Sequence, residues 1–282
     1  VSGAFSLTTG KLNMSAYSRE DTDGDTTFDQ NVALGLYGLG VRRVIGLGNV
    51  VIGAPVAAPA FIDVWPGGGT FPFIPNGAPV NLEVNFANAA DTAAGTGARS
   101  VSLSLLDPSY SEVSITIVSN GGTVAVPNGP YQAVNQAFIT GAGSGQVNAG
   151  TITVRDAGGA GSNRCIIPAG AGISQQSQYT VPDGHMLLVK SVEMEINSSA
   201  GGGGGTTKGA DCSFYFGTPG ATNPFFRLPR KMSCTDITPY ALDATTTIPV
   251  GPRTNFGMRC TYTSAALTLT AAWEGHLFRR IN

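Results

Sequence analysis

The chain has 282 residues, enough for one large domain or for two of ordinary size, each with its own core. Charged residues make up 12%, about half the ~25% of a typical globular chain, and the formal net charge is −2. Such a chain has no long-range field to gather nucleic acid or an anionic membrane, and no stretch approaches the ~20 consecutive apolar residues of a spanning helix. Neither nucleic acid nor membrane is therefore an expected partner.

The opening VSGAFSLTTG carries neither a basic n-region nor an apolar h-region, so no signal peptide is expected. The next run, REDTDGDTTFDQ, is the most acidic of the chain. Asp21, Asp23 and Asp25 alternate as in a calcium loop, but Gly24 falls at the fourth position rather than the sixth. Val32 stands at the twelfth position, where a bidentate Glu is required, so a solvated turn is the expectation and no metal. Then comes VALGLYGLGVRRVIGLGNVVIG, apolar but carrying six Gly. Each Gly costs a helix about 1 kcal/mol relative to Ala, so an extended arm or an edge strand is expected.

From about residue 56 the chain reads as short strands punctuated by turns. APAFIDVWPGGGTFPF carries strand-type residues into a Pro-Gly-Gly-Gly turn. PVNLEVNFANA alternates Val80, Leu82, Val84 and Phe86 with Asn81, Glu83 and Asn85, the period of a half-buried strand. RSVSLSLLD repeats the pattern with Val101, Leu103 and Leu105, and EVSITIVSN with Val113, Ile115 and Ile117. TVAV, QAVNQAFIT and GTITVRD follow. DAGGAGSNRCIIPAGAG marks a boundary, after which SQQSQYTVPDGHMLLVKSVEMEIN, DCSFYFG, PFFRLPRKMSCT, TTTIPV, TNFGMRCTYTS and ALTLTAAWEGHLFRR resume strand character. VPDG is a tight turn, and NSSAGGGGGTTKG a long exposed hairpin loop. Strand spacing of about 8–12 residues, with no helical period, predicts an all-β chain. The expected layout is an extended N-terminal arm over 1–55 and two jelly-roll-like β-sandwich domains over 56–165 and 166–282.

The turn DTAAGTGARS invites a phosphate reading, but a strand rather than a helix N-terminus follows Gly95-Thr96-Gly97. The expectation is a compact inter-strand turn in which Gly95 and Gly97 let another backbone, such as a neighbouring subunit's, come close. Asp91 and Arg99 flank the turn, and Arg99 is expected to pair with Asp91 or with a carbonyl. No nucleophile elbow of the G-x-S-x-G type occurs, and His185 and His276 read as structural. Asp107 with Glu112, and Glu193 with Glu195, are the carboxylate pairs to consider, placed at turns or on alternating strand positions where charge faces water. No enzyme activity and no cofactor are expected. Cys165, Cys212, Cys234 and Cys260 form no C-x-x-C pair and read as buried thiols of a chain folded in a reducing cytoplasm, with one disulfide in the C-terminal half as the alternative. The aromatics Phe214, Tyr215, Phe216, Phe225, Phe226, Trp273 and Phe278 read as core or interface.

Over roughly residues 58–192 the chain resembles a widespread group of tailed-phage virion proteins. The resemblance rests on IDVWPGGGTFPF, DTAAGTGARSVSLSLLDPSYSE, NGGTVAV, YQAVNQAFITGAGSGQVNAGTITVRD and AGAGISQQSQYTVPDGHMLLV, in that order, with DTAAGTGAR the most specific part. It implies a structural particle component rather than an enzyme, on the outer surface of the head or in the neck or tail. The leading expectation is a capsid-decorating (cement) protein, a homotrimer that bridges major capsid protein subunits, with an arm able to add a strand to a neighbour's sheet. The alternative is a tail or neck fibre module that binds the host surface through a tip formed by the 201–205 loop with Phe225 and Phe226.

Overall fold

Every regular element among the described residues is a β-strand. The computed structural model describes residues 37–57, 60–159, 161–197, 208–217, 226–227, 232–235, 240–264 and 266–280, with the backbone alone at 37–41, 197, 226–227, 240–247 and 280. The strands are β1 (Tyr37–Ile52), β2 (Ile62–Asp63), β3 (Leu82–Phe86), β4 (Ala98–Leu106), β5 (Glu112–Val118), β6 (Thr123–Ala125), β7 (Ala133–Ala142), β8 (Ile152–Asp156) and β9 (Asn163–Ile167). They continue as β10 (Tyr179–Thr180), β11 (His185–Asn197), β12 (Gly209–Gly217), β13 (Phe226–Arg227), β14 (Met232–Thr235), β15 (Tyr240–Val250), β16 (Asn255–Thr263) and β17 (Leu267–Arg280).

These strands pair antiparallel into small sheets. Two lie in the middle of the chain, ordered β6-β3-β8-β9 and β5-β4-β7. Their strands behave as the alternation demands: Leu82, Val84 and Phe86 of β3 and Val101, Leu103 and Leu105 of β4 are all buried in one core. Ile117 of β5 joins them, with Val113 and Ile115 packed against that core. The other two sheets, β1-β17-β11-β15 and β10-β16-β12-β13 with β14 beside β12 and β2 beside β16, line a second core.

That second core is discontinuous in sequence. Val50, Ile52, Val56 and Val64 belong to it together with residues from Tyr179 onward. The first core closes at Ile167. The chain therefore starts one body, leaves it after Val64 to build the other, and returns. The expected boundaries at 56 and 166 are redrawn accordingly, because strand register rather than position along the chain assigns a segment to a core. Of the two readings offered for the Gly-rich run, arm or edge strand, residues 37–52 form the edge strand β1, laddered along β17 from Tyr37↔Arg280 to Ile52↔Leu267. Residues 1–36, which include the acidic run, and the 201–205 loop lie outside the described residues.

The Gly-rich composition of β1 has a packing cause. Gly46 stands opposite Trp273 in the register, and a Cβ there would lie 2.2 Å from the indole Nε1. At Gly48 a Cβ would lie 2.4 Å from the Val64 carbonyl oxygen. The inward positions of β1 are thus emptied to admit a buried Trp and a crossing main chain, whereas Val50 and Ile52 further along fill the core. Replacing Gly46 with Ala is expected to lower unfolding free energy by about 1–3 kcal/mol, because the indole is enclosed and its displacement strains the core. Urea denaturation followed by Trp fluorescence measures this, and an unchanged midpoint would contradict the packing account.

Candidate functional site

The DTAAGTGAR turn is a hydrogen-bonded node of the first body. Asp91 is fully buried, and its carboxylate accepts from three backbone amides: Ala98 at 2.7 Å, Ala149 at 2.8 Å and Gly150 at 2.9 Å. It is therefore not the partner of Arg99. The Arg99 Nε donates instead to the Gly95 carbonyl at 3.0 Å, on the exposed side of the turn. Of the two expected partners, the carbonyl is the one observed, because a buried carboxylate surrounded by amides has no lone pair facing the solvent edge. The close backbone approach occurs within the chain: a Cβ on Gly97 would sit 2.1 Å from Asp91 Oδ1, and one on Gly143 would sit 2.1 Å from the Gly95 carbonyl. Gly143 and Gly145 donate their amides to the Gly97 and Thr96 carbonyls, each at 2.8 Å.

Asn148 completes the node. Its Nδ2 donates to the Gly150 and Pro168 carbonyls, each at 2.7 Å, and its Oδ1 accepts from Gly172 N at 3.0 Å. One buried amide thus ties the NAG stretch to the chain leaving the first body.

A second polar construction joins the two bodies. Ser174, Gln176, Ser177, Gln178 and Thr180 are all buried. Ser174 exchanges two hydrogen bonds with the Ala137 main chain, at 2.8 and 3.1 Å. Asn135 meets the Thr180 main chain through both amide atoms, Nδ2 to carbonyl at 2.9 Å and Oδ1 from N–H at 2.8 Å. The Ser177 carbonyl accepts the Trp273 indole N–H at 2.8 Å, while its amide and its hydroxyl both donate to Val64. Sequence reasoning missed Asn135, Asn148, Gln176 and Ser177. The available signal was an amide or hydroxyl at an inward position within the stretches on which the resemblance rests.

Beside this seam lies a cavity of about 160 Å³. Ile45, Gly46 and Leu47 of β1 form one wall, and Asn135, Gln136, Ile173, Ser174, Gln176, Gln178, Tyr179 and Trp273 form the rest. Arg42 pairs with Glu112, and burial raises the Tyr179 phenol well above its ordinary value, with Arg42 opposing the shift.

The buried ion pair of the second body is Asp63 with Arg259, register partners of β2 and β16, with Nε 3.3 Å from Oδ1. The guanidinium lies between the rings of Phe61 and Tyr215, 3.9 and 3.8 Å from their centroids. The other Asp63 oxygen accepts Phe71 N at 2.7 Å. Burial pushes the Asp63 carboxyl up to about 6, with Arg259 opposing the shift.

The remaining candidate carboxylates and histidines, where described, lie apart from these constructions. Asp107 accepts the Ser109 and Ser111 amides at 2.8 and 2.9 Å, while Glu112 turns to Arg42. Glu193 and Glu195 are exposed on alternate positions of β11. The His185 ring contacts the Asp183 carbonyl at 2.8 Å, and His276 lies edge-on to Phe278. All four cysteines are buried free thiols, with Cys212 and Cys260 opposite each other. Among the described residues no group of His, Cys, Asp and Glu is placed to hold a metal. Phe214, Tyr215, Trp273 and Phe278 are core residues, Phe214 stacking on Phe256 at 5.1 Å. Phe225 lies outside the described residues, as does the Phe226 side chain; the Phe226 backbone pairs with Phe216.

No family model and no curated protein matches the chain. Solved structures from infectious bursal disease virus show a distant likeness. The Gt strain structure is 13% identical over 86% of this chain and 77% of that one, with a TM-score of 0.15. The VP2 subviral particle is 10% identical over 88% and 78%, with a TM-score of 0.16. At these scores the likeness settles neither fold nor function.

Two substitutions at the turn separate its residues. Asp91→Ala is expected to destabilise by about 3–5 kcal/mol, since three buried amides lose their acceptor, and Arg99→Ala to stay within about 0.5 kcal/mol. Chemical denaturation of both variants measures the contrast, and equal effects would overturn the assignment. The raised Asp63 carboxyl makes a pH prediction. Its folded-state value of about 6 exceeds the ordinary 3.8, so its contribution is full below that ordinary value and is lost as pH rises through about 6. Relative to Asp63→Asn, the parent is expected to lose on the order of 2–3 kcal/mol over that window in urea titrations at stepped pH. Parallel pH profiles would refute it.

Proposed function

We propose that the chain is a structural component of a tailed-phage particle: a capsid-decorating protein, built as two β-sandwich bodies, that bridges and stabilises major capsid subunits as a homotrimer on the outer head surface. The observation that carries this reading is the use made of the resembling stretches. Asp91, Gly97, Asn148 and Thr180 all fall within them, and all are spent on joints that hold strands and bodies together.

Surface chemistry supports the same reading. The outward face of the β5-β4-β7 sheet carries Ser100, Ser102 and Ser104 between Ser114 and Thr116 on one side and Gln136, Phe138 and Thr140 on the other, with Glu112 at its end paired to Arg42. Ser100 and Thr140 hydroxyls meet at 2.9 Å. A mostly neutral face whose one charge is already paired can be covered by a neighbouring subunit with little desolvation of ions. The proposal includes no catalytic role; of the two carboxylate pairs, Asp107 and Glu112 engage different partners. A second reading, a host-binding module of the tail or neck, is favoured by one observation, the amide-lined cavity beside the seam.

Immunogold labelling of virions of the encoding phage distinguishes the readings. Dense label over the whole head is expected. Label confined to one pole or to the tail would replace decoration with the adhesion reading, and unlabelled particles would refute both.

A further inference from the structure

We propose that Cys212 and Cys260 are a latent disulfide pair, an oxidative modification site that cross-links β12 to β16 inside the core of the second body. Both are buried free thiols, and the two residues stand directly opposite each other in the ladder of these strands. The pairing is made by a bulge. Ala210↔Thr263 and Asp211↔Tyr262 run in register, so an unbroken ladder would next set Cys212 against Thr261. Cys260 would then oppose Ser213 and face the other side of the sheet. The register slips at this step, Cys212 meets Cys260 instead, and the Thr261 hydroxyl donates to the Asp211 carbonyl at 3.3 Å. Bulges re-aim side chains in this way, and here the result is two sulfurs turned into one spot of the core.

Directly opposed residues of antiparallel strands have Cα atoms about 4.5–5.5 Å apart, within the ~4.4–6.8 Å that a disulfide spans. The other cysteines are placed differently. Cys234 opposes Ala210 between β14 and β12, which leaves it diagonal to Cys212, a relation that sets residues ~7–8 Å apart. Cys165 belongs to the core of the first body. The Cys260 thiol donates to the Tyr262 carbonyl at 3.2 Å, which fixes its sulfur beside the bulge. Acidity agrees with this geometry. Hydrogen bonding with the Cys212 thiol holds Cys260 below its ordinary value against the effect of burial, and the same contact, with burial, raises Cys212. Burial pushes Cys165 up to about 12 and Cys234 up to about 11. Cys260 is thus the thiol that ionises first, and Cys212 the one that answers it.

The oxidant that suits an enclosed site is a small neutral peroxide. The Cys260 thiolate attacks one oxygen of hydrogen peroxide, the O–O bond breaks and hydroxide leaves, so the sulfur becomes a sulfenic acid. The Cys212 sulfur then attacks the Cys260 sulfur. The S–S bond forms as the S–O bond breaks, and the departing hydroxide takes the Cys212 proton and leaves as water. The thiol pair gives up two electrons and two protons, and the peroxide is reduced to water. The bridge closes segment 213–259, which carries β13, β14 and β15, into a loop anchored at β16. Such a cross-link removes freedom from the unfolded chain while asking for little rearrangement of the folded one. The inference goes beyond the particle reading and does not rest on it.

The test treats the native full chain with a small molar excess of hydrogen peroxide, then blocks remaining thiols with iodoacetamide under denaturing conditions and maps non-reduced peptides by mass. A cross-link joining the Cys212 and Cys260 peptides is expected, with Cys165 and Cys234 recovered as blocked thiols. The melting temperature should rise by about 5–10 °C and return on adding dithiothreitol. Cys234→Ala and Cys165→Ala should keep both effects. Cys212→Ala should lose them and leave Cys260 as a sulfenic acid that dimedone traps. The mapping of the parent chain stands by itself should that variant fold poorly. Recovery of Cys212 and Cys260 as blocked thiols overturns the proposal, as does a bridge to Cys234 or a cross-link that forms only in urea. Peptide mapping and particle labelling are separate readouts, so either can fail alone.

Discussion

The segment 174–180 must cross between two hydrophobic cores while keeping its main chain hydrogen-bonded, and much of the molecule is arranged around that requirement. A buried peptide group without a partner costs on the order of 1–3 kcal/mol, and seven consecutive residues multiply the demand. The solution is to bury polar side chains with it. Ser174 and Gln176 reach into the first body, Ser177 is joined to Val64 and Trp273 of the second, and Asn135 imitates a strand partner for Thr180. The seam couples the bodies through directional bonds rather than apolar area alone, which specifies one relative placement.

The same constraint explains several of the glycines inside the strands and the DTAAGTGAR turn. Where Trp273 and the 175–177 main chain pass against β1, residues 46 and 48 have no room for a side chain. Where the 143–145 loop passes against the DTAAGTGAR turn, Gly97 and Gly143 are pressed between carbonyl and carboxylate oxygens. In both places glycine is required by neighbouring atoms distant in sequence, so the composition that looks like flexible linker is the trace of close packing.

Low charge follows a related logic. The ion pairs that are buried, Asp63 with Arg259 and Arg164 with Asp156, tie strands or loops together inside a body. The outward side of β4 and β5 is mostly Ser and Thr with an apolar residue such as Val118, while the β1-β17-β11 sheet exposes Glu193, Glu195 and the Arg43–Glu274 pair.

Much of the fold was legible in residue order. Period-two alternation in 80–86, 101–105 and 113–117 identified inward residues before any coordinates, because one face of a strand meets a core whatever its partner. The DTAAGTGAR turn was recognisable as architecture for a similar local reason: a strand follows it, so no helix dipole stands behind its amides. Partnership was not legible. Nothing in 37–52 states that it ladders with β17, more than two hundred residues away, and nothing in Asp91 distinguishes a salt bridge to Arg99 from a cradle of amides supplied by 98 and 149–150. The cavity is less visible still, since its walls come from β1, β7, the seam and β17. Alternation and turn chemistry are properties of neighbours along the chain, whereas register, amide satisfaction and enclosed volume arise only when distant segments are brought into contact.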